Sequence, residues 1–143
     1  MRDAWYQTLK QDFVRGFPAF CGIQVERVAH GEFDTRLEVR PEHAQQDGFV
    51  HAGVMATMAD HTAGYAAFTL VSEQQRVLTI EFKINYFKPA TGRTIVCHGR
   101  VLHGGRRIIV SEADLFSVAE DGPKRVARAT VTLMVIGDGH REH

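Results

Sequence analysis

Between Val77 and Phe87, the apolar residues Leu78, Ile80, Phe82, Ile84 and Tyr86 alternate with Thr79, Glu81, Lys83 and Asn85. A period of two sends successive side chains to opposite faces, so this segment predicts a β-strand. Three more strands are expected over Thr94–Leu102, Arg107–Val118 and Arg125–Ile136. The separators "KPATGR", "HGG" and "EDGPK" carry Pro or Gly and are short enough to join antiparallel neighbours, which predicts a four-stranded meander. Upstream, Ile23–Arg40 reads as a hairpin turning near Gly31, with Val25, Leu37 and Val39 set among charged residues and Pro41 ending the second strand.

Two segments have a helical period instead. Trp5, Leu9 and Phe13 recur at i, i+4 and i+8, so residues 1–15 predict an amphipathic helix that covers the domain, and "GFPAFCG" then breaks the pattern with Gly16, Pro18 and Gly22. From Val54 to about Val71 the chain has no Pro, and Asp60 is its single acidic residue. A helix this apolar around its circumference must be buried. Residues 138–143 read as a polar tail. One long buried helix with five to six antiparallel strands predicts a single α+β domain over residues 1–143, with a curved sheet wrapped around the helix. Such a sheet has open edges, and pairing with a second copy would remove them, so a homo-oligomer is expected.

At 143 residues the chain can build one core. Lys plus Arg and Asp plus Glu both number 17, so no global field recruits nucleic acid or an anionic membrane, and any anionic ligand must be caught locally. Cys21 and Cys97 have neither metal spacing nor a disulfide-framework pattern and read as reduced thiols, which points to the cytoplasm. The first residues are too polar for a secretory signal, and no apolar run reaches the roughly 20 residues that span a bilayer. His98, His103, His140 and His143 lack a second ligand at metal-binding spacing, and Asp60 and His61 point about 100° apart on a helix, so neither metal nor cofactor is expected.

The charge inside the apolar helix needs a reason. Asp60 shares its helical face with Ala56, Thr57, Ala63, Gly64 and Ala67, all small, so a ligand can approach the helix closely there. The plainer alternative is a carboxylate that caps or pairs inside a subunit interface. In "GFVHAGV", Gly48, His51 and Gly53 sit where the loop becomes the helix. N–H groups of a first helical turn lack intrahelical partners and can hold an oxygen that is gaining negative charge.

Gln45, Gly48, His51, Gly53 and Asp60, spaced as Q-x-x-G-x-x-H-x-G-x-x-x-x-x-x-D, resemble the motif of hotdog-fold acyl-CoA thioesterases, in particular the phenylacetate-degradation and 4-hydroxybenzoyl-CoA group. The resemblance continues through "TIEFKINYFKPATG" and "GRRIIVSEADL". It implies a hotdog fold, hydrolysis of a small, aryl or medium-chain acyl-CoA, and active sites at the interface of a dimer or a dimer of dimers. It also implies catalytic roles. Asp60 would activate water or attack the thioester directly, the Gly53 N–H would polarise the carbonyl, and the Gln45 amide would orient water or thioester. His51 would support the loop, and Thr79 would supply a hydroxyl to the water. Around the substrate, Gly48 and Ala52 would line the loop, with Ala52 standing where the family usually has a second glycine. Arg106, Arg107 and Lys88 are candidates for the phosphates of coenzyme A, against the alternative of ordinary solvated turn charges. Two other readings are a non-catalytic acyl-CoA-binding protein and a hydroxyacyl-thioester dehydratase.

Overall fold

The computed structural model describes residues 2–137, so the 138–143 tail lies outside the described residues. Helix α1 (Arg2–Phe13) buries Leu9 and Phe13, and the half-buried Trp5 donates its indole N–H to the Phe68 carbonyl at 3.1 Å. The first helix is therefore a cover, as its spacing predicts. "GFPAFC" is more than a break: it forms a short helix, α2 (Gly16–Cys21). Pro18 falls in its first turn, where no N–H is required, and Gly22 ends it at φ 86°, its N–H reaching the Pro18 and Ala19 carbonyls.

Strands β1 (Ile23–Ala29) and β2 (Glu32–Glu38) form the expected hairpin, with Gly31 at φ 75° in the turn. A single 3₁₀ turn, Pro41–His43, follows, and then the long helix α3 (Ala52–Phe68). The helix begins before Val54 because His51 caps it, and it ends before Val71. Strands β3 (Arg76–Tyr86), β4 (Thr94–Gly104), β5 (Ile108–Ala119) and β6 (Gly122–Ile136) complete one antiparallel sheet.

Its order is β1-β2-β4-β5-β6-β3, which corrects the predicted meander. The run β4–β5–β6 is a meander, but β3 pairs with β6 at the far edge, Val77 opposite Val135 and Tyr86 opposite Ala127. Connection length does not decide adjacency here. Three inter-strand steps of about 4.8 Å make roughly 14 Å, within reach of residues 87–93 at about 3.3 Å each.

Alternation on β6 shows which face meets the helix: Ala127, Ala129, Val131 and Leu133 are buried, whereas Met134 and Ile136 are exposed. Helix α3 packs on the buried face and touches β2 through β6. Phe33, Leu37, Met58, Ile95, Ile109 and Leu115 close the core between them. The other face is mixed: Asp114 is bound by Arg128 at 2.7 Å and Glu112 by Arg100 at 2.7 Å, beside the exposed Met134 and Ile136. On the edge strand β3, Leu78, Ile80 and Phe82 remain exposed.

Candidate active site

The N-terminus of α3 is held by the residue before it. His51 has extended backbone, φ −61° and ψ 135°, and its Nδ1 accepts the Gly53 N–H at 2.8 Å. A Cβ on Gly53 would lie 3.0 Å from that nitrogen and 3.2 Å from Cε1, so glycine gives the imidazole its room. With Nδ1 accepting, the neutral ring carries its proton on Nε2 and presents a donor to the exposed side. The Gly53 N–H is thus engaged by His51, where the motif assigns it to a substrate carbonyl.

Before His51 the chain makes a closed loop. Ala44 bridges Val50, the Gln45 N–H donates to the Phe49 carbonyl at 2.8 Å, and the Gly48 N–H donates to the Gln45 carbonyl at 3.0 Å. Gly48 sits at φ 87°, a left-handed conformation that disfavours any side chain. Gln45 Oε1 accepts the N–H groups of Asp47 and Phe49. The amide oxygen is thereby committed to the loop, and the NH₂ is the end that can donate outward.

Asp60 lies two turns into α3 and is half-buried. Thr79, on β3, donates its hydroxyl to Asp60 Oδ1 at 2.8 Å, so a strand and the helix meet at this carboxylate. The proposed small face has two parts. Ala56 and Thr57 are half-open, but Ala63, Gly64 and Ala67 are buried under the sheet, with Leu133 Cδ2 only 3.5 Å from where a Gly64 Cβ would be. The half-open side of the helix runs from Gly53 to Asp60, and the Thr57 hydroxyl, donating to the Gly53 carbonyl at 2.9 Å, lies on it. His61, next to Asp60, instead packs between Phe13 and Tyr65 with ring centroids 4.6 and 4.9 Å away. Burial pushes its pKa below the usual imidazole range, against the opposing pull of Asp60 and Asp12.

A cavity of about 490 Å³ opens beside the helix N-terminus, lined by Gln45, Phe49, His51, Met55, Tyr86 and Lys88 among others. Ala52 lines it too, and its carbonyl accepts the Tyr86 hydroxyl at 2.8 Å. The Val50 N–H donates to the Ala90 carbonyl at 3.1 Å, which ties the loop to the crossing segment after β3. Gln45, Gly48, His51, Ala52, Gly53 and Lys88 therefore gather around one end of α3, with Asp60 and Thr79 farther along it.

Arg106 and Arg107 do not join them within one chain. They precede β5, whose Ile108 lies opposite Met134, itself opposite Leu78. That is the Arg76 end of β3, roughly 25 Å of extended strand from the Tyr86 end beside the cavity. Tyr86 lines the cavity although the strand period reads it only as an apolar position, and Thr57, expected on the small face beside Asp60, adds a hydroxyl there. Among the described residues, no group of three or more His, Cys, Asp or Glu is arranged to hold a metal ion. No helix among them is long and apolar enough to cross a membrane.

The family model of the thioesterase superfamily matches residues 47–122, more than half of the chain and the stretch that holds His51, Gly53, Asp60 and Thr79. The chain belongs to the thioesterase superfamily. A crystal structure of a thioesterase family protein from Silicibacter pomeroyi superposes with a TM-score of 0.90 at 31% identity, covering 94% of this chain and 99% of that one. A thioesterase from Haemophilus influenzae shares the fold at a TM-score of 0.82 and 20% identity, covering 96% of this chain and 94% of that one. In sequence, the 1,4-dihydroxy-2-naphthoyl-CoA hydrolase of Listeria monocytogenes is 24% identical over 105 residues, 73% of this chain and 85% of the relative. The α+β arrangement is the hotdog fold of these thioesterases, and the protein is a thioester hydrolase.

Proposed function

We propose that this thioesterase hydrolyses acyl-CoA, releasing the free acid and coenzyme A, with Asp60 as general base. The observation that carries the reading is the hydrogen bond from Thr79 to Asp60 Oδ1. It fixes the carboxylate and leaves Oδ2 as the oxygen that can take a proton from water. Water attacks the thioester carbon, the carbonyl oxygen takes the electron pair, and collapse of the tetrahedral intermediate breaks the C–S bond. The proton held by Asp60 then passes to the departing sulfur. The Gln45 NH₂ and His51 Nε2–H are the donors that would stabilise the oxyanion. The Gly53 N–H could join them only if the His51 ring released it.

The substrate is read as follows. Phe49, Met55, Tyr86 and Phe87 give the cavity an apolar, partly aromatic wall, and Lys88 stands at it as a cation for the phosphates. This suits a small, aryl or medium-chain acyl-CoA, and the similarity to a hydrolase named for an aryl-CoA substrate supports the aryl side.

A second copy completes the site in this reading. The free edge of β3 with its exposed Leu78, Ile80 and Phe82 is a pairing surface. Antiparallel pairing of two β3 strands about a two-fold axis sets the Arg76 end of one against the Tyr86 end of the other. One protomer's Arg106 and Arg107 would then approach its partner's Lys88 and cavity, reuniting cations that a single chain separates. A dimer, or a dimer of dimers, is the functional unit.

The test is thiol release from a panel of benzoyl-, acetyl- and octanoyl-CoA by the wild type and by Asp60→Asn. Turnover that disappears in the variant supports the reading. Unchanged turnover in Asp60→Asn would remove Asp60 from the mechanism, and enoyl absorbance without thiol from a 3-hydroxyacyl-CoA would indicate dehydration.

A further inference from the structure

His43, the last residue of the 3₁₀ turn, has no place in the mechanism above, yet every one of its hydrogen-bonding groups has a polar partner, its own N–H donating to the Arg40 carbonyl at 3.0 Å. It is only 3% exposed. Its Nδ1 accepts the Arg40 backbone N–H at 2.8 Å. A backbone N–H can only donate, so Nδ1 is unprotonated and the neutral ring holds its proton on Nε2. Nε2 lies 2.6 Å from the Cys21 carbonyl and donates to it. The same carbonyl accepts the Arg40 guanidinium at 3.1 Å, and the Phe20 carbonyl accepts it at 3.0 Å. One imidazole thus bonds the last residue of α2 to the 3₁₀ turn that leads into the site loop.

The link continues through the backbone. The His43 carbonyl accepts the His51 N–H at 2.7 Å, directly below the Ala44–Val50 bridge. His43 and His51 therefore flank the base of the loop that carries Gln45, and the His51 ring in turn holds the Gly53 N–H. A side chain that fixes residue 43 fixes the starting point of the loop that brings Gln45 and His51 to the cavity. A purely apolar residue would fill the same volume but would leave the Arg40 N–H and the Cys21 carbonyl with fewer partners in a buried place.

We propose that His43 is a positioning residue for the Gln45–Gly53 loop, acting through the His43 carbonyl to His51 N–H bond and without touching substrate. The proposal rests on the acyl-CoA reading only for its kinetic arm. His43→Ala removes both ring bonds, whereas His43→Asn keeps an acceptor near the position of Nδ1 for the Arg40 N–H. His43→Ala is expected to lower kcat by about tenfold to a hundredfold, the size of loss that misplacing reacting groups by about an ångström brings. KM is expected to change by less than about threefold, and His43→Asn to recover most of the lost kcat. Hydrogen exchange is the independent arm: in His43→Ala the amides of His51 and Gly53 should lose protection while those of Ala63 to Ala67 keep it. If the wild type hydrolyses no acyl-CoA, the acyl-CoA reading fails and amide exchange still decides the role of His43. The proposal is overturned if His43→Ala keeps kcat within about twofold, or keeps the protection of the His51 amide. It is equally overturned if protection falls throughout α3 in both variants, since His43 would then hold the whole fold and not this loop.

Discussion

The two halves of α3 obey different rules. From Thr62 to Phe68 every residue is buried, whereas between Ala52 and His61 only Met55, Met58 and Ala59 are. The second half is a rod in a sheet and has no side that tolerates a charge. The first half has an inner stripe and an outer, half-open side, and Asp60 stands at the boundary, where the carboxylate still reaches solvent and Thr79. A carboxylate one turn farther on would be enclosed without a built partner, at a cost of several kcal/mol. Placement at the boundary gives the acid a fixed orientation without full desolvation.

The widest separation between the halves should come from Asp60→Asn. Loss of a positioned general base is expected to lower kcat by about 10²- to 10⁴-fold. The amide is nearly isosteric and can still accept from Thr79, so the melting temperature should stay within about two degrees, measured by thermal denaturation beside the thiol assay. Ala63→Leu, in the buried half, should do the reverse. Ala63 is fully buried, and added methylenes in a packed core cost about 1–3 kcal/mol. Chemical denaturation should show that loss while turnover per folded molecule stays near the wild-type value; a tenfold fall in kcat at full folding would erase the distinction between the halves.

Gly53→Ala probes the junction of helix and loop. Alanine is the better helix former by about 1 kcal/mol, which on its own favours folding. Its Cβ would sit 3.0 Å from His51 Nδ1, so the ring must move and the cap weakens. Turnover is expected to fall about tenfold, from displacement of a group that orients the substrate, with little net change in stability. If instead turnover rises, the His51 bond restrains the Gly53 N–H from binding the carbonyl, and the two donors exchange roles.

Much of this division could be read from the order of residues. The apolar run identified α3, the glycine-histidine-glycine spacing located the helix start, and the lone acid of the run is the residue the proposed mechanism turns on. What escaped was set by distant partners. Nothing near β3 in sequence tells that it pairs with β6, because "KPATGR" is equally compatible with a turn and with a crossing of the sheet end. Likewise, small side chains at Ala63, Gly64 and Ala67 are compatible with a ligand groove or with close packing, and Leu133 from β6 decides it. His43 was invisible for the same reason, since both ring partners come from the folded neighbourhood of α2 and the 3₁₀ turn. The strand period also concealed Tyr86, whose apolar ring obeys alternation while its hydroxyl reaches the carbonyl of Ala52.

The smallest effect tests the other side of the boundary, one residue past Asp60. His61 packs against Phe13 and Tyr65, and burial lowers its pKa in the folded chain. In the unfolded chain it titrates near 6.5. Below about pH 6.5 the unfolded state therefore takes up a proton that the folded state resists, so stability is full above that pH and falls as pH drops toward the folded-state value. His61→Phe keeps an aromatic ring between Phe13 and Tyr65 and cannot titrate. Denaturation of the two proteins at pH 7.5 and at pH 5.5 should show a larger acid-side loss for the wild type than for His61→Phe. Equal losses would mean that the imidazole is as easily protonated in the fold as outside it, and that its packing between Phe13 and Tyr65 does not exclude the charge.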